Sequence, residues 1–481
     1  MIRIRTLILR QSPQAAGIDR PEGLYAYYRP RFMRDVEYEA IEPGQKNSGG
    51  SAANSRLAIT NCSPGGSGRA DRPTKQEFLS KNGTAGGNSL EATMLRRTVL
   101  KGVAAATATG VFAPAVLAQK LLKIGVSMPM TGAGFGTVGP QLKAGIQLYM
   151  QQHGDVVADR KIKIIIRDDA GVADTARRLI QEMIVNDRVD VCAIGITPTA
   201  LAIAQLATQA KKATLVMSSG ASATTSRSPY FVRAGFLLSP QSWIIAEWAA
   251  KNGSKRVVTL VNEWATGLEA ETAFKTRFLQ VGGTVIESIR VPLANPDFSP
   301  FLQRLADLKP DTAFIYFPGP QAATFAKQFA ERGLAQSAIK IVGPGDLTID
   351  DSLNDMGEQM IGIITAGPYS AAHDSALNKS YVTGIKQAIG FLPNIISLGA
   401  YDGMHLLYEA LKKTAGNTDG DALIKAMKGM SWESPRGPIS IDPETRDIVS
   451  NIYIRRVEKL NGQLWNTEFE TFPGVKDPLR A

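Results

Sequence analysis

From Leu121 onward the chain alternates short apolar runs with amphipathic stretches, and this alternation restricts the fold more than any other feature. The runs LKIGVSMPM (122–130), KIKIIIRDD (161–169), VDVCAIGI (189–196) and ATLVMSS (213–219) are rich in Val and Ile and bounded by Gly, Pro or Asp. Helical patterns at 140–153, 174–187 and 199–211 separate them. Strands that are apolar along their whole length and divided by helices belong in a parallel sheet covered on both faces. The pattern restarts after Ser239. Strands are expected at 256–263, 284–292, 312–318, 339–345 and 361–367, with helices at 267–281, 299–308 and 320–333. Helices at 375–389, 397–414 and 420–428 follow, and 437–470 holds further strand-like runs. The expected fold is α/β, with two doubly wound, Rossmann-like lobes of similar construction.

The first 118 residues look different. Residues 1–93 contain QKNSGGSAANS and SPGGSGRADRP and show no sustained period. Such a stretch buries too little apolar surface to offset its ordering entropy. It reads as a disordered extension, or as upstream sequence absent from the mature protein. Residues 94–118 read as an export signal: Met94 as a start, Arg96, Arg97 and Lys101 as a positive head, an Ala-rich stretch, then Val116-Leu117-Ala118 as a cleavage site. The stretch is short, weakly hydrophobic and interrupted by Pro114, which argues against a membrane anchor. Arg96-Arg97-Thr98-Val99-Leu100-Lys101 also resembles the twin-arginine signal, and the general secretion route stays open. The expected location is the periplasm.

Charge is informative once it is divided. The chain carries 54 basic and 44 acidic residues, but 119–481 carries 38 against 35, so most of the basic excess lies in the first 118 residues. No Lys/Arg-rich run with interleaved aromatics occurs, and nucleic-acid binding loses its support. Of the two cysteines only Cys192 lies beyond the signal, in an apolar run that suits a buried thiol.

In open α/β sheets ligands bind beyond the carboxyl ends of the strands, where strand order reverses. Residues just after each strand are therefore the candidates. Gly134-Phe-Gly136-Thr-Val-Gly139 matches G-x-G-x-x-G, but Asp168 lies 29 residues past its last Gly and Pro140 follows directly. A dinucleotide fingerprint expects an acid about 20 residues on. A loop wall of a ligand cleft fits better, with Phe135, Thr137 and Val138 as candidates. Gly195-Ile-Thr197-Pro198-Thr199 ends the third strand, and Thr199 is either a helix cap or a hydroxyl beside an anion-attracting helix terminus. Ser218-Ser219-Gly220-Ala221-Ser222 presents hydroxyls and N–H groups, or is simply a tight turn. In the second lobe Asn262, Trp264, Phe317 and Asp346 follow strands. Trp264 and Phe317 either sandwich an apolar ligand body or pack at the lobe surface. Tyr369 lies where the chain should recross between lobes, as hinge packing or cleft lining.

Catalysis finds no foothold. The three histidines, His153, His373 and His405, lack metal-ligand spacing, and there is no G-x-S-x-G elbow or P-loop. Asp168-Asp169 reads as a solvated turn. No cofactor and no metal are expected.

The segment 121–475 resembles the leucine/isoleucine/valine-binding type of periplasmic solute-binding proteins of ABC importers. The resemblance runs through Pro129-Met-Thr-Gly132, Gly139 with Gly145, Asp168-Asp169, Ile194-Gly195 with Thr199, Ser218 to Ser222, Tyr230-Phe-Val-Arg233, Gly267, Asp297-Phe298-Ser299, Lys309-Pro-Asp311 and Tyr401-Asp402. It implies a type I fold: lobe 1 from 119–238 plus 367–436, lobe 2 from 239–366 plus 437–475, joined by three crossings and closing over a small solute. It implies that Thr199, Ala221 and Ser222 hold a ligand carboxylate, with Phe135 to Val138 near the side chain. Amino-acid binders of the family use second-lobe acids for the ammonium group. Here Asn262 and Gly345 stand at two such positions, although Asp346 or Glu263 can substitute. The departures favour a small hydrophobic carboxylate without an amine, such as a benzoate derivative. The implied partners are an ABC permease and its ATPase, the implied state a monomer. A ligand-sensing receptor domain of the same fold, or a dinucleotide-dependent oxidoreductase, are the rival readings.

Overall fold

A computed structural model describes residues 120–132, 135–292 and 297–480. The extension 1–93, the signal 94–118 and Gly134 therefore lie outside the described residues.

The first sheet has the order β2-β3-β1-β4-β5-β6, built from β1 (Lys120–Met128), β2 (Val156–Val157), β3 (Arg160–Asp168), β4 (Val191–Ile194), β5 (Thr214–Val216) and β6 (Phe231–Arg233). Strands β1, β4, β5 and β6 run parallel, with Val126 opposite Ala193 and Leu215 opposite Val232. Helices α1 (Val138–His153), α2 (Ala173–Glu182) and α3 (Thr197–Gln209) are the connections. One sheet face packs under α1 and later helices around Leu142, Tyr149, Leu398 and Leu407. The other packs under α2 and α3 around Ile180, Ile203 and Val216. Both faces are covered, which is why these strands are apolar throughout.

Helix α4 (Leu238–Lys251) leads into the second sheet. The sequence pattern did not reveal it. Ten of its residues are buried, so it shows no polar face to mark a helical period. The parallel part runs β8-β7-β9-β10-β11, from β7 (Arg256–Asn262), β8 (Thr284–Val291), β9 (Thr312–Tyr316), β10 (Lys340–Pro344) and β11 (Ile364–Gly367). Helices α5 (Ala265–Gln280), α6 (Ser299–Leu308), α7 (Pro320–Glu331) and the short α8 (Leu353–Met356) lie between them. After α9 (Ala376–Ile389), α10 (Ile395–Lys413) and α11 (Gly420–Met427), the chain adds β12 (Ser431–Ser434), β13 (Gly437–Ile441), β14 (Ile448–Leu460) and β15 (Gln463–Val475) to this sheet, all antiparallel to their neighbours. The second sheet is thus mixed. Along β9, period-2 alternation sends Phe314 and Tyr316 under α4 and α5, and Ala313, Ile315 and Phe317 under α6 and α7.

Several of the motif residues turn out to hold the frame. A Cβ on Gly145 would meet the Ser397 carbonyl at 2.1 Å, so this glycine sets how closely α1 approaches α10. A Cβ on Gly139 would meet the Pro129 carbonyl at 2.5 Å, which lets α1 start hard against the turn after β1. Arg436 donates to the Ala234 and Gly235 carbonyls and pairs with Asp402, tying the end of β12 to α10 and to the exit from β6. No described helix is long and apolar enough to cross a membrane.

Candidate functional site

In the first sheet, chain order reverses between β1 and β4; in the second, between β7 and β9. Loops from both reversal points meet at one cavity of about 320 Å³. Phe135, Thr137 and Val138 come from beyond β1, Ile196 and Thr197 from beyond β4, and Ser218 and Gly220 from beyond β5. Opposite them stand Trp264 and Thr266 after β7, Tyr316 and Gly319 at the end of β9, and Asp346 and Asp351 after β10.

The first-sheet side is uncharged and rich in donors. Helix α3 opens at Thr197, with extended Ile196 as its cap, two residues earlier than the sequence suggested. The Thr197 hydroxyl lies 2.8 Å from that of Ser219 and lines the cavity. Thr199 is carried into the first turn, where its hydroxyl donates to the Ile196 carbonyl at 3.0 Å; it is fully buried and away from the cavity wall. The loop 218–221 is gripped from behind by buried Arg233, which donates to the carbonyls of Ser219 and Ala221 and pairs with Asp447 at 2.8 Å. With its Ser219 and Ala221 carbonyls turned back to the guanidinium, the loop leaves Ser218 and Gly220 lining the cavity. Because α3 starts at the cavity-lining Thr197, the positive end of its dipole and the N–H groups its first turn leaves free, Pro198 having none, belong to this side. Asp168 anchors the adjoining turn: its carboxylate accepts from the Met130, Thr131 and Ala170 N–H groups and the Thr131 hydroxyl. Burial raises this carboxyl, but those donors outweigh it and hold it below the usual range.

The second-sheet side supplies rings and acids. Phe135 and Trp264 meet edge to face, centroids 5.4 Å apart. Phe317, the other ring expected at the ligand, packs instead against Phe298 and Phe325 beneath α6 and α7. Its neighbour Tyr316 takes the cavity position, because adjacent strand residues face opposite ways. Burial pushes the Asp346 carboxyl up to about 6, with Arg455 pulling it back. Asp351 is raised too, chiefly by burial, with the Asn394 and Gln141 side chains and the Ser352 N–H pulling it back; its Oδ2 accepts the Gln141 amide at 3.1 Å. None of the residues lining the cavity is Lys, Arg or His.

Of the sequence candidates, Phe135, Thr137, Val138, Trp264 and Asp346 line the cavity, whereas Thr199, Ala221, Ser222, Asn262, Phe317 and Tyr369 do not. Ser222 is already engaged: its N–H and hydroxyl both donate to Glu269 Oε1 at 2.8 Å. Asn262 is buried against the start of α5, its Oδ1 where a Cβ on Gly267 would fall. Tyr369 is buried beside Tyr381, its hydroxyl donating to Asn378, and is no part of the cavity lining. Of the two acids the sequence offered in place of the family's, Asp346 lines the cavity, joined there by Asp351, which the sequence did not single out. Glu263 is exposed and does not line the cavity. Contacts between the two halves include Phe135 with Trp264, Gln141 with Asp351, and Ser222 with Glu269.

The model of the periplasmic binding protein family matches residues 122–463. The chain belongs to that family. Within it, this binding protein is of the leucine/isoleucine/valine-binding type, with the type I two-lobed α/β fold. It is 39% identical over 383 residues to a Brucella melitensis protein named Leu/Ile/Val-binding protein homolog 6, an alignment covering 78% of this chain and 98% of the relative. It is 56% identical to a solute-binding protein of an ABC transporter from Rhodopseudomonas palustris BisB5 whose crystal structure holds 3,4-dihydroxybenzoic acid (TM-score 0.73; 75% of this chain and 99% of that one). A second such protein, from Rhodopseudomonas palustris HaA2, was solved with p-hydroxybenzoic acid and is 36% identical (TM-score 0.73; 75% and 100% covered).

Proposed function

We propose that this protein is the exported solute-binding component of an ABC importer and that it captures an aromatic carboxylate of the benzoate class. The carrying observation is the cavity's polarity: donors without a cation on the first-sheet side, rings across the middle. In this reading the carboxylate sits against the Thr197 and Ser218 hydroxyls, the Gly220 N–H and the start of α3. The ring lies among Phe135, Val138, Leu238 and Trp264. The 56% identical relative's complex with 3,4-dihydroxybenzoic acid supports the ligand class.

Closure is the working step. Lobe 1 (119–238 and 367–436) and lobe 2 (239–366 and 437–475) swing about their crossings, and a ligand touching both favours the closed form. The closed form then docks on a permease whose ATPase drives uptake. Residues 94–118 direct export to the periplasm, where the protein acts as a monomer. No covalent step is needed.

An amino-acid ligand is the second reading. The Brucella relative's name supports it, and Asp346 or Asp351 would pair with an ammonium group. A thermal-shift panel of benzoate, 4-hydroxybenzoate, 3,4-dihydroxybenzoate, leucine and valine separates the two. A ligand at 100 times its Kd should add about 2.7 kcal/mol of stability and a clear rise in Tm. If leucine or valine stabilises the protein and no benzoate does, the aromatic reading falls; if none of the five does, the carboxylate site itself is misassigned.

A further inference from the structure

A carboxylate held at the first-sheet side leaves the two acids across the cavity unexplained. Asp346 and Asp351 both follow β10 and both line the cavity. Gln141 donates to one oxygen of Asp351, and the Asn394 side chain and Ser352 N–H also steady this carboxyl, whereas nothing cationic on the wall faces either acid. No lining residue is cationic; Arg455, which does not line the cavity, offsets Asp346 only in part. Two carboxyls on a cavity wall without a cation are a standing cost of the empty site. A ligand that is only an anion and a ring leaves that cost in place and adds like-charge repulsion. A ligand whose far end carries hydroxyl donors removes it, because a phenolic O–H donates to a carboxylate as a charge-assisted bond.

We propose that Asp346 and Asp351 are specificity-determining acceptors for ring hydroxyls, so that the cavity selects mono- and dihydroxylated benzoates over benzoate itself and rejects benzene dicarboxylates. The inference rests on the aromatic-acid reading and sharpens it. It divides the cavity into two ends of opposite hydrogen-bonding sense: donors for the acid head, acceptors for the hydroxylated tail. A terephthalate, whose tail is a second carboxylate, would set three acids together without a cation.

The test is titration calorimetry of the full chain with benzoate, 4-hydroxybenzoate, 3,4-dihydroxybenzoate, terephthalate and L-leucine. The hydroxylated acids should bind at least about tenfold more tightly than benzoate, since a site built to bond a hydroxyl penalises the analogue lacking it. Terephthalate should show no heat of binding. In Asp351→Ala the ratio of 3,4-dihydroxybenzoate to benzoate affinity should fall towards one, and Asp351→Asn, which keeps an oxygen acceptor, should retain part of it. Equal affinity of the wild-type protein for benzoate and its hydroxylated forms overturns the inference while leaving the aromatic reading intact. So does an Asp351→Ala variant with an unchanged ratio. Binding of L-leucine alone overturns both. Should Asp351→Ala not fold, the wild-type ratio decides.

Discussion

The half built on the first sheet offers the cavity hydroxyls and main-chain N–H groups, with every nearby charge turned away; the half built on the second sheet offers rings and two carboxyls. Arg233 shows how the first half manages this. Its charge is spent on the Ser219 and Ala221 carbonyls and on Asp447, behind the loop, so the cavity sees only neutral donors. The second half places Asp346 and Asp351 directly on the wall. On the proposed reading, the contrast lets an anion be held without a cation because a guanidinium fixes the loop from the far side, and leaves charge on the cavity wall for selection.

Removing the support from the first half should have the largest effect. Arg233→Met frees two carbonyls and takes a partner from Asp447, a buried carboxylate. It should cost about 3–5 kcal/mol in urea unfolding, as breaking a buried pair does. A cost near zero would mean that the loop holds itself.

The donors come next. Thr197→Val with Ser218→Ala should weaken aromatic-acid binding at least about 100-fold by calorimetry, since bonds to a charged group contribute about 1.5–3 kcal/mol each. Thr199→Val should change it by less than about threefold, because that hydroxyl serves the Ile196 carbonyl. Equal losses in the two variants would erase the distinction between cavity donor and helix-turn hydroxyl.

On the opposite side, Trp264→Ala removes the ring that meets Phe135 and should weaken binding about tenfold, mostly through faster dissociation. Glu269→Gln loosens the contact to Ser222 across the two halves and should cost affinity only about two- to fivefold. A gain instead would show that Glu269 competes with the ligand for the Ser222 donors.

The smallest effect concerns proton balance. The Asp346 carboxyl is raised by burial to about 6, so between pH 4 and 6 the folded state holds a proton that the unfolded state releases. Its contribution is neutral below that window and unfavourable above it. Asp346→Asn should therefore match the wild-type Tm near pH 4 and exceed it by a few degrees at pH 7. Asp350, also raised to about 6, titrates in both proteins and cancels in the comparison.

Much of the architecture could be read from the chain, because a strand covered on both faces is apolar along its length and a helix over a sheet keeps one polar face. Helix α4 escaped because burial on nearly all sides erases that contrast, and β12 and β6 escaped because strands of three or four residues carry too little pattern. The site was legible to the level of the loop. Residues after β1, β4, β5, β7, β9 and β10 do line the cavity, yet the side chain singled out was often a neighbour of the one that does: Thr199 two beyond Thr197, Phe317 one beyond Tyr316, Ser222 four beyond Ser218.

The sequence by itself determined the alternation of elements, hence the two sheets and the loops that must crowd their carboxyl edges. It also determined which loops could carry donors. Only the tertiary structure decided which side chain of each loop faces the cavity. That outcome depends on where α3 begins, which face of β9 a residue takes, and which hydroxyls Glu269 and the Ile196 carbonyl had already claimed. These are contacts between segments far apart in the chain, and local pattern does not record them.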